Sequence, residues 1–287
     1  MAFETKATIA SFGGKLLKLS HQSSTTGTPM AVNLYLPPAA LKPGAKVPVL
    51  FWLSGLTCTP DNCTEKGFFQ HGAARHGLAV VYPDTSPRGL DIPGAKDSWD
   101  FGEAASFYID ATAAPWRDSY RMETYLTQEL PDLLFKEFAE LDASRVSLSG
   151  HSMGGHGALT LYLKHPGKYR SVSAFAPIAN PSRCPWGEKA FSGYLGADDR
   201  EAWKAHDATE LVGRWAGGPL NMLVDVGTGD AFYKQGQLLP ENLAAAVEAA
   251  GLEGLTLRMH EDYDHSYFFM ASFSDEHVAH AAKYLGA

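Results

Sequence analysis

The chain has 287 residues, 45% of them hydrophobic and 20% charged, with a formal net charge of −8. Such a chain can bury a large core without metal or disulfide staples. Its acidic balance excludes the broad basic surface that binding to nucleic acid or an anionic membrane would require.

Apolar runs read as strands over Lys15–His21, Ala31–Leu36, Val47–Leu53, Leu78–Tyr82, Arg145–Leu148, Val172–Phe175, Leu220–Val226 and Leu255–His260. From Val47 onward, helix-like segments alternate with them: Glu65–His76, Ser119–Phe138, Gly154–Lys164, Pro240–Ala250 and Phe273–Tyr284. Within Ser119–Phe138, the residues Met122, Tyr125, Leu126, Leu130, Leu133, Leu134 and Phe138 share one face, and Pro131 should kink the helix. The first strands have no helices between them and should pair antiparallel. The later alternation predicts an α/β fold in one domain, residues 1–287, with a mostly parallel central sheet and helices on both faces. Two long segments interrupt the rhythm, Asp84–Asp118 and Pro177–Gly218, each rich in aromatic residues and each following a strand. Ligands of open α/β sheets bind beyond the carboxyl ends of the strands, so these insertions are candidates to wall a pocket there, with Trp186 as one wall.

The segment Arg145-Val146-Ser147-Leu148-Ser149-Gly150-His151-Ser152-Met153-Gly154-Gly155 runs from an apolar strand through Gly-x-Ser-x-Gly into a helix. A nucleophile on so sharp a turn needs small neighbours to relieve backbone crowding, and the helix that follows turns its positive end toward the reaction centre. Ser152 is therefore the candidate nucleophile. A serine hydroxyl needs a base, and the base needs an orienting acid, in the chain order Ser, Asp or Glu, His for this architecture, the α/β-hydrolase fold.

Asp230 follows the strand Leu220–Val226, and His265 follows Leu255–His260, both on the strand edge that carries Ser152. His265 is the expected base among eleven histidines. His151 adjoins the nucleophile and is poorly placed to reach its hydroxyl, His156 lies on the next helix, and His277 and His280 lie on the last helix without a metal-binding pattern. Asp230 is the expected acid, with Asp225, inside a strand, as the rival; Asp262 and Asp264 stand so near His265 that they are expected to shape its loop. For the oxyanion hole the expected donors are the backbone N–H groups of Met153, next to the nucleophile, and Leu56, in the loop Leu53-Ser54-Gly55-Leu56-Thr57-Cys58-Thr59.

These motifs, with Pro83-Asp84-Thr85-Ser86-Pro87-Arg88-Gly89, Pro185-Trp186-Gly187, Gly236-Gln237-Leu238-Leu239-Pro240 and Tyr263-Asp264-His265-Ser266-Tyr267, resemble the S-formylglutathione hydrolase (esterase D) family over nearly the whole chain. The resemblance implies an α/β-hydrolase with no metal or organic cofactor. It also implies hydrolysis of S-formylglutathione to glutathione and formate in formaldehyde detoxification, together with cleavage of small esters. By it the catalytic set falls on Ser152, Asp230 and His265, the oxyanion donors on Leu56 and Met153, and a cysteine near the site on Cys58. The alternative on the same residues is a general small-acyl carboxylesterase. Arg88, Lys96, Arg183 and Lys189 are basic candidates for the glutathione carboxylates. Three cysteines, Cys58, Cys63 and Cys184, are too few for a disulfide framework and point to a cytoplasmic protein. The first residues lack the basic-then-apolar order of a signal peptide, and no apolar run is long enough for a membrane span. No nucleic-acid partner is expected, and a homodimer is left open.

Overall fold

The run Val47–Leu53 forms a strand in which every residue is buried, because both faces of the sheet are covered at that point. Trp52 packs on Phe69, with ring centroids 4.4 Å apart. Its neighbour Phe51 points the other way and lines a small cavity with Leu126, Pro131 and Phe135. The structure, a computed structural model, describes residues 2–287.

Among the described residues nine strands form one sheet: β1 (Glu4–Ser11), β2 (Gly14–Gln22), β3 (Pro29–Leu36), β4 (Val47–Leu53), β5 (Ala79–Pro83), β6 (Leu141–His151), β7 (Val172–Phe175), β8 (Met222–Gly227) and β9 (Leu255–His260). Their order is β1-β2-β3-β5-β4-β6-β7-β8-β9. The pairs β1–β2, β2–β3 and β3–β5 are antiparallel, and every later pair is parallel. This is the mostly parallel α/β sheet expected from the alternation of elements. From β4 the chain passes to β5 on one side and returns to β6 on the other. The strand order thus switches direction at β4 and β6, where Leu53 stands opposite Gly150. A crevice opens at the carboxyl ends of strands at such a point, and ligands bind there.

The sequence left β1 unread. Glu4–Ser11 is an edge strand with nearly every residue exposed, so it carries no buried-face alternation to detect. The helix expected over Glu65–His76 is two helices, Pro60–Lys66 and Phe69–His76, divided at Phe68, which adopts a left-handed conformation (φ 59°). The last helix begins earlier than expected, at Tyr267, because Ser266 caps it by accepting the Phe268 N–H at 3.2 Å. The segment around Pro131 becomes a π-helical turn, Tyr125–Glu129, followed by an α-helix, Leu130–Glu137. Proline has no N–H to give the carbonyl four residues back. That carbonyl, on Thr127, is taken instead by the Lys168 ammonium.

Helices Phe69–His76 and Tyr267–Leu285 pack together over the Trp52 face of the sheet. Helix Met153–Lys164 lies on β4, β6 and β7 and meets Ala208–Val212, which in turn packs on Pro240–Ala249. No helix among the described residues is long and apolar enough to cross a membrane.

Candidate active site

Strand β6 ends at His151, and Ser152 follows at φ 57°, ψ −119° before the helix Met153–Lys164 begins. A non-glycine residue rarely occupies this region, and it persists only where its surroundings fix it. Here the Ser152 N–H donates to the Phe175 carbonyl of β7 at 2.9 Å, and the Ser152 carbonyl accepts from the His156 N–H at 2.9 Å. The turn also jams the start of the helix against the end of β4. A side-chain carbon at Gly154 would lie 2.0 Å from the Leu53 carbonyl oxygen, so only glycine fits.

Past the end of β8, Asp230 is fully buried and caps the short helix Ala231–Lys234. Its Oδ1 accepts from the Phe232 N–H at 2.7 Å and the Tyr233 N–H at 3.3 Å, which leaves Oδ2 for His265 Nδ1 at 2.5 Å. The loops that follow β8 and β9 touch closely: a side-chain carbon at Gly227 would meet the Tyr263 carbonyl oxygen at 2.1 Å. Asp225, the rival acid, is spent elsewhere. It faces the last helix and accepts from Arg258 of the neighbouring strand (Nε at 2.7 Å, Nη2 at 2.5 Å) and from His277 Nε2 at 3.2 Å. Asp264 accepts from the Ser266 N–H and hydroxyl and shapes the His265 loop, as its position suggested.

Ser152 and His265 line one cavity of about 220 Å³, with Gly55, Leu56, Thr57 and Cys58 on one side and Trp99, Trp186 and Phe232 on another. Neither the Leu56 nor the Met153 N–H has an intramolecular acceptor among the described residues. The two aromatic insertions contribute one tryptophan each, Trp99 and Trp186, with ring centroids 5.7 Å apart. Most of their other aromatic residues, including Phe107, Trp116, Phe191 and Trp203, belong to the core.

Cys58 is buried in the cavity wall, with Sγ 3.7 Å from Tyr267 Oη. Burial pushes its thiol pKa up, which keeps it protonated and a poor nucleophile. Among the described residues no group of three or more His, Cys, Asp or Glu side chains is arranged to hold a metal ion.

Two cavity residues, Phe232 and His151, have no place in the cavity as read from the sequence. Phe232 had a signal: the same capped turn that binds Asp230 sets its ring 4.8 Å from that of His265. His151 was set aside as a base, yet its buried ring lies 4.4 Å from the His265 ring; burial and the nearby His265 hold it neutral. Trp99 belongs to the aromatic insertion Asp84–Asp118 that was expected to wall a pocket, and it lines the cavity. None of the four basic candidates lines the cavity. Arg88 is forked onto Asp84, Lys189 bonds Asp100 and Ser98, and Arg183 lines a separate depression with Glu188 and Arg200.

A family model described as "Putative esterase" matches residues 23–280. S-formylglutathione hydrolases from Mus musculus and from Paracoccus denitrificans are each 50% identical to the chain. The mouse protein aligns over 287 residues, the whole of both chains. The bacterial one aligns over 286 residues, 100% of this chain and 99% of its own. The solved structure of an S-formylglutathione hydrolase from Agrobacterium tumefaciens superposes with a TM-score of 0.93 at 44% identity, covering 100% of each chain. With an elbow serine at the strand switch and matches that run from end to end, the chain belongs to the S-formylglutathione hydrolase family of esterases.

Proposed function

We propose that the protein is a serine thioesterase that hydrolyses S-formylglutathione to glutathione and formate, and so serves in the removal of formaldehyde. The observation that carries the reading is 50% identity across all 287 residues to an S-formylglutathione hydrolase. The cavity supports it, since about 220 Å³ suits a formyl group and the sulfur end of its leaving group better than a long acyl chain.

His265 accepts the Ser152 proton as the hydroxyl oxygen attacks the formyl carbon. The Leu56 and Met153 N–H groups hold the negative charge that develops on the carbonyl oxygen, aided by the positive end of the helix Met153–Lys164. The carbon–sulfur bond then breaks, and protonated His265 gives its proton to the departing glutathione sulfur. Water attacks the formyl ester of Ser152 and passes a proton to His265, formate leaves, and the serine oxygen regains its proton. Asp230 fixes the His265 tautomer and stabilises its cationic form throughout. The bond from His265 Nδ1 to Asp230 Oδ2 supports this assignment over one to Asp225. The free thiols of Cys58, Cys63 and Cys184 support a cytoplasmic, reducing setting.

The test is a comparison of kcat/KM for S-formylglutathione, S-acetylglutathione and p-nitrophenyl acetate. One added methyl group in a tight pocket is worth about 10- to 200-fold, so the formyl thioester should lead by at least about tenfold. Equal or reversed values would make the protein a general small-acyl carboxylesterase.

A further inference from the structure

The loop that carries Leu56 is a tight turn, closed by the Cys58 N–H donating to the Gly55 carbonyl at 3.3 Å. Thr57, the third residue of that turn, stands at φ 68°. Turns of this kind place glycine or asparagine there, and a β-branched residue at positive φ is strained. Such a conformation lasts only if its surroundings impose it, and here the restraints can be traced.

The Thr57 N–H donates to the Ala104 carbonyl at 3.0 Å. The Cys58 carbonyl accepts twice, from Thr85 Oγ1 at 2.6 Å and from Arg88 Nη2 at 2.9 Å. Arg88 is seated in turn on the buried Asp84 carboxylate, Nε to Oδ2 at 2.8 Å and Nη2 to Oδ1 at 2.8 Å. Ser86 Oγ accepts the Ala104 N–H at 2.7 Å, and Ser106 Oγ donates to the Thr85 carbonyl at 2.6 Å. The segment Asp84–Arg88 therefore grips the turn directly at Cys58 and indirectly, through Ala104, at Thr57. A fork of fixed planar geometry is needed to hold a carboxylate and a carbonyl together, which a lysine cannot do from one nitrogen in the same way.

We propose that Arg88, seated on Asp84, is a positioning residue that holds the oxyanion turn in its strained, donor-presenting form through the Cys58 carbonyl. The proposal rests on the reading of Leu56 N–H as an oxyanion donor, and it removes Arg88 from the candidates for binding the glutathione carboxylates. Its effect falls on the transition state, because the oxyanion exists only there.

The test measures kcat and KM for Arg88→Met and Arg88→Lys on two substrates, anionic S-formylglutathione and neutral p-nitrophenyl acetate, together with the affinity for a small boronic acid that forms a tetrahedral adduct on the serine. For Arg88→Met, kcat should fall about 10- to 100-fold on both substrates, with KM changed less than about threefold. Boronic acid affinity should fall in parallel, and Arg88→Lys should lie between. Unchanged kcat on both substrates would overturn the proposal. So would a raised KM for S-formylglutathione with ester turnover intact, which would make Arg88 a substrate anchor. If Arg88→Met does not fold, Arg88→Lys, which keeps the charge but loses the fork, decides by the same two outcomes. The ester arm reads the turn even if the wild-type protein shows no preference for the formyl thioester, so failure of the substrate reading and failure of this one stay distinct.

Discussion

Ser152→Ala removes the proposed nucleophilic oxygen and leaves the positive-φ turn, whose restraints come from the backbone and from Gly154. Turnover should fall by about three to six orders of magnitude with the thermal midpoint little changed. The two candidate acids, Asp230 and Asp225, should separate cleanly. Asp230→Asn leaves the cap of Ala231–Lys234 largely in place but allows the wrong His265 tautomer, so kcat should fall by about 10⁴. Asp225→Asn breaks the pairing with Arg258 and His277 and should cost about 2–4 kcal/mol of stability while leaving kcat nearly untouched. Steady-state kinetics beside calorimetry checks all three variants; a larger kcat loss at position 225 than at 230 would reverse the assignment. At this scale the sequence showed both aspartates just before or just past a strand end. Which one meets His265 depends on the strand face of Asp225, whose side chain points instead to His277 of the last helix, and that is not written in the local pattern.

Among the elements, the helical segment after Met122 carries an irregularity the apolar spacing did not show. The apolar spacing and Pro131 indicated a kinked helix; the segment is helical from Met122 to Glu137 and passes through a π-helical turn, Tyr125–Glu129, just before the proline. An irregular turn leaves a carbonyl to be satisfied, and the Lys168 ammonium reaches the Thr127 oxygen across the fold. Lys168→Met should leave that carbonyl without a partner and lower stability by about 1–3 kcal/mol, measured by urea unfolding, with kcat unaffected. A loss below about 0.5 kcal/mol would mean that water or relaxation of the turn serves as well. Strands β4, β5, β7 and β8 were legible because burial on both faces makes them continuous apolar runs, whereas β1, exposed at the sheet edge, had nothing to mark it.

For the whole molecule, buried titratable groups set the response to acid. Burial lowers His156 to about 3, His206 to about 4 and His280 to about 4, with Lys164 adding to the effect on His206. In the unfolded chain each titrates near 6.5. The stability tied to their neutral forms is therefore complete above pH 6.5 and is lost as pH falls through about 4 and then 3. Burial opposes ionisation of Glu123 and Asp225. Bonds to His165 and Lys164 in the first case, and to His277 and Arg258 in the second, overcome it and draw both carboxyls down to about 2. Their contribution is present above the ordinary carboxylate range and is lost as pH falls through about 2. The unfolding free energy in urea should thus decline between pH 7 and pH 5, on the order of 2 kcal/mol for each buried histidine, and decline further below pH 4.5. A free energy that is flat from pH 7 to 5 would contradict this account.

The sequence by itself determined the elbow at Ser152 and the order in which Asp230 and His265 follow it, because a strand, a sharp turn and a helix are local structures with local residue requirements. It also determined the α/β class, through the alternation of apolar runs and helical segments. The tertiary structure decided which aspartate meets His265 and which tryptophans wall the cavity. It also gave Arg88 a place against the Gly55–Cys58 turn rather than in the cavity. Each of these depends on side chains brought together from different strand ends and insertions, and such meetings follow from the order of the strands in the sheet rather than from any pattern along the chain.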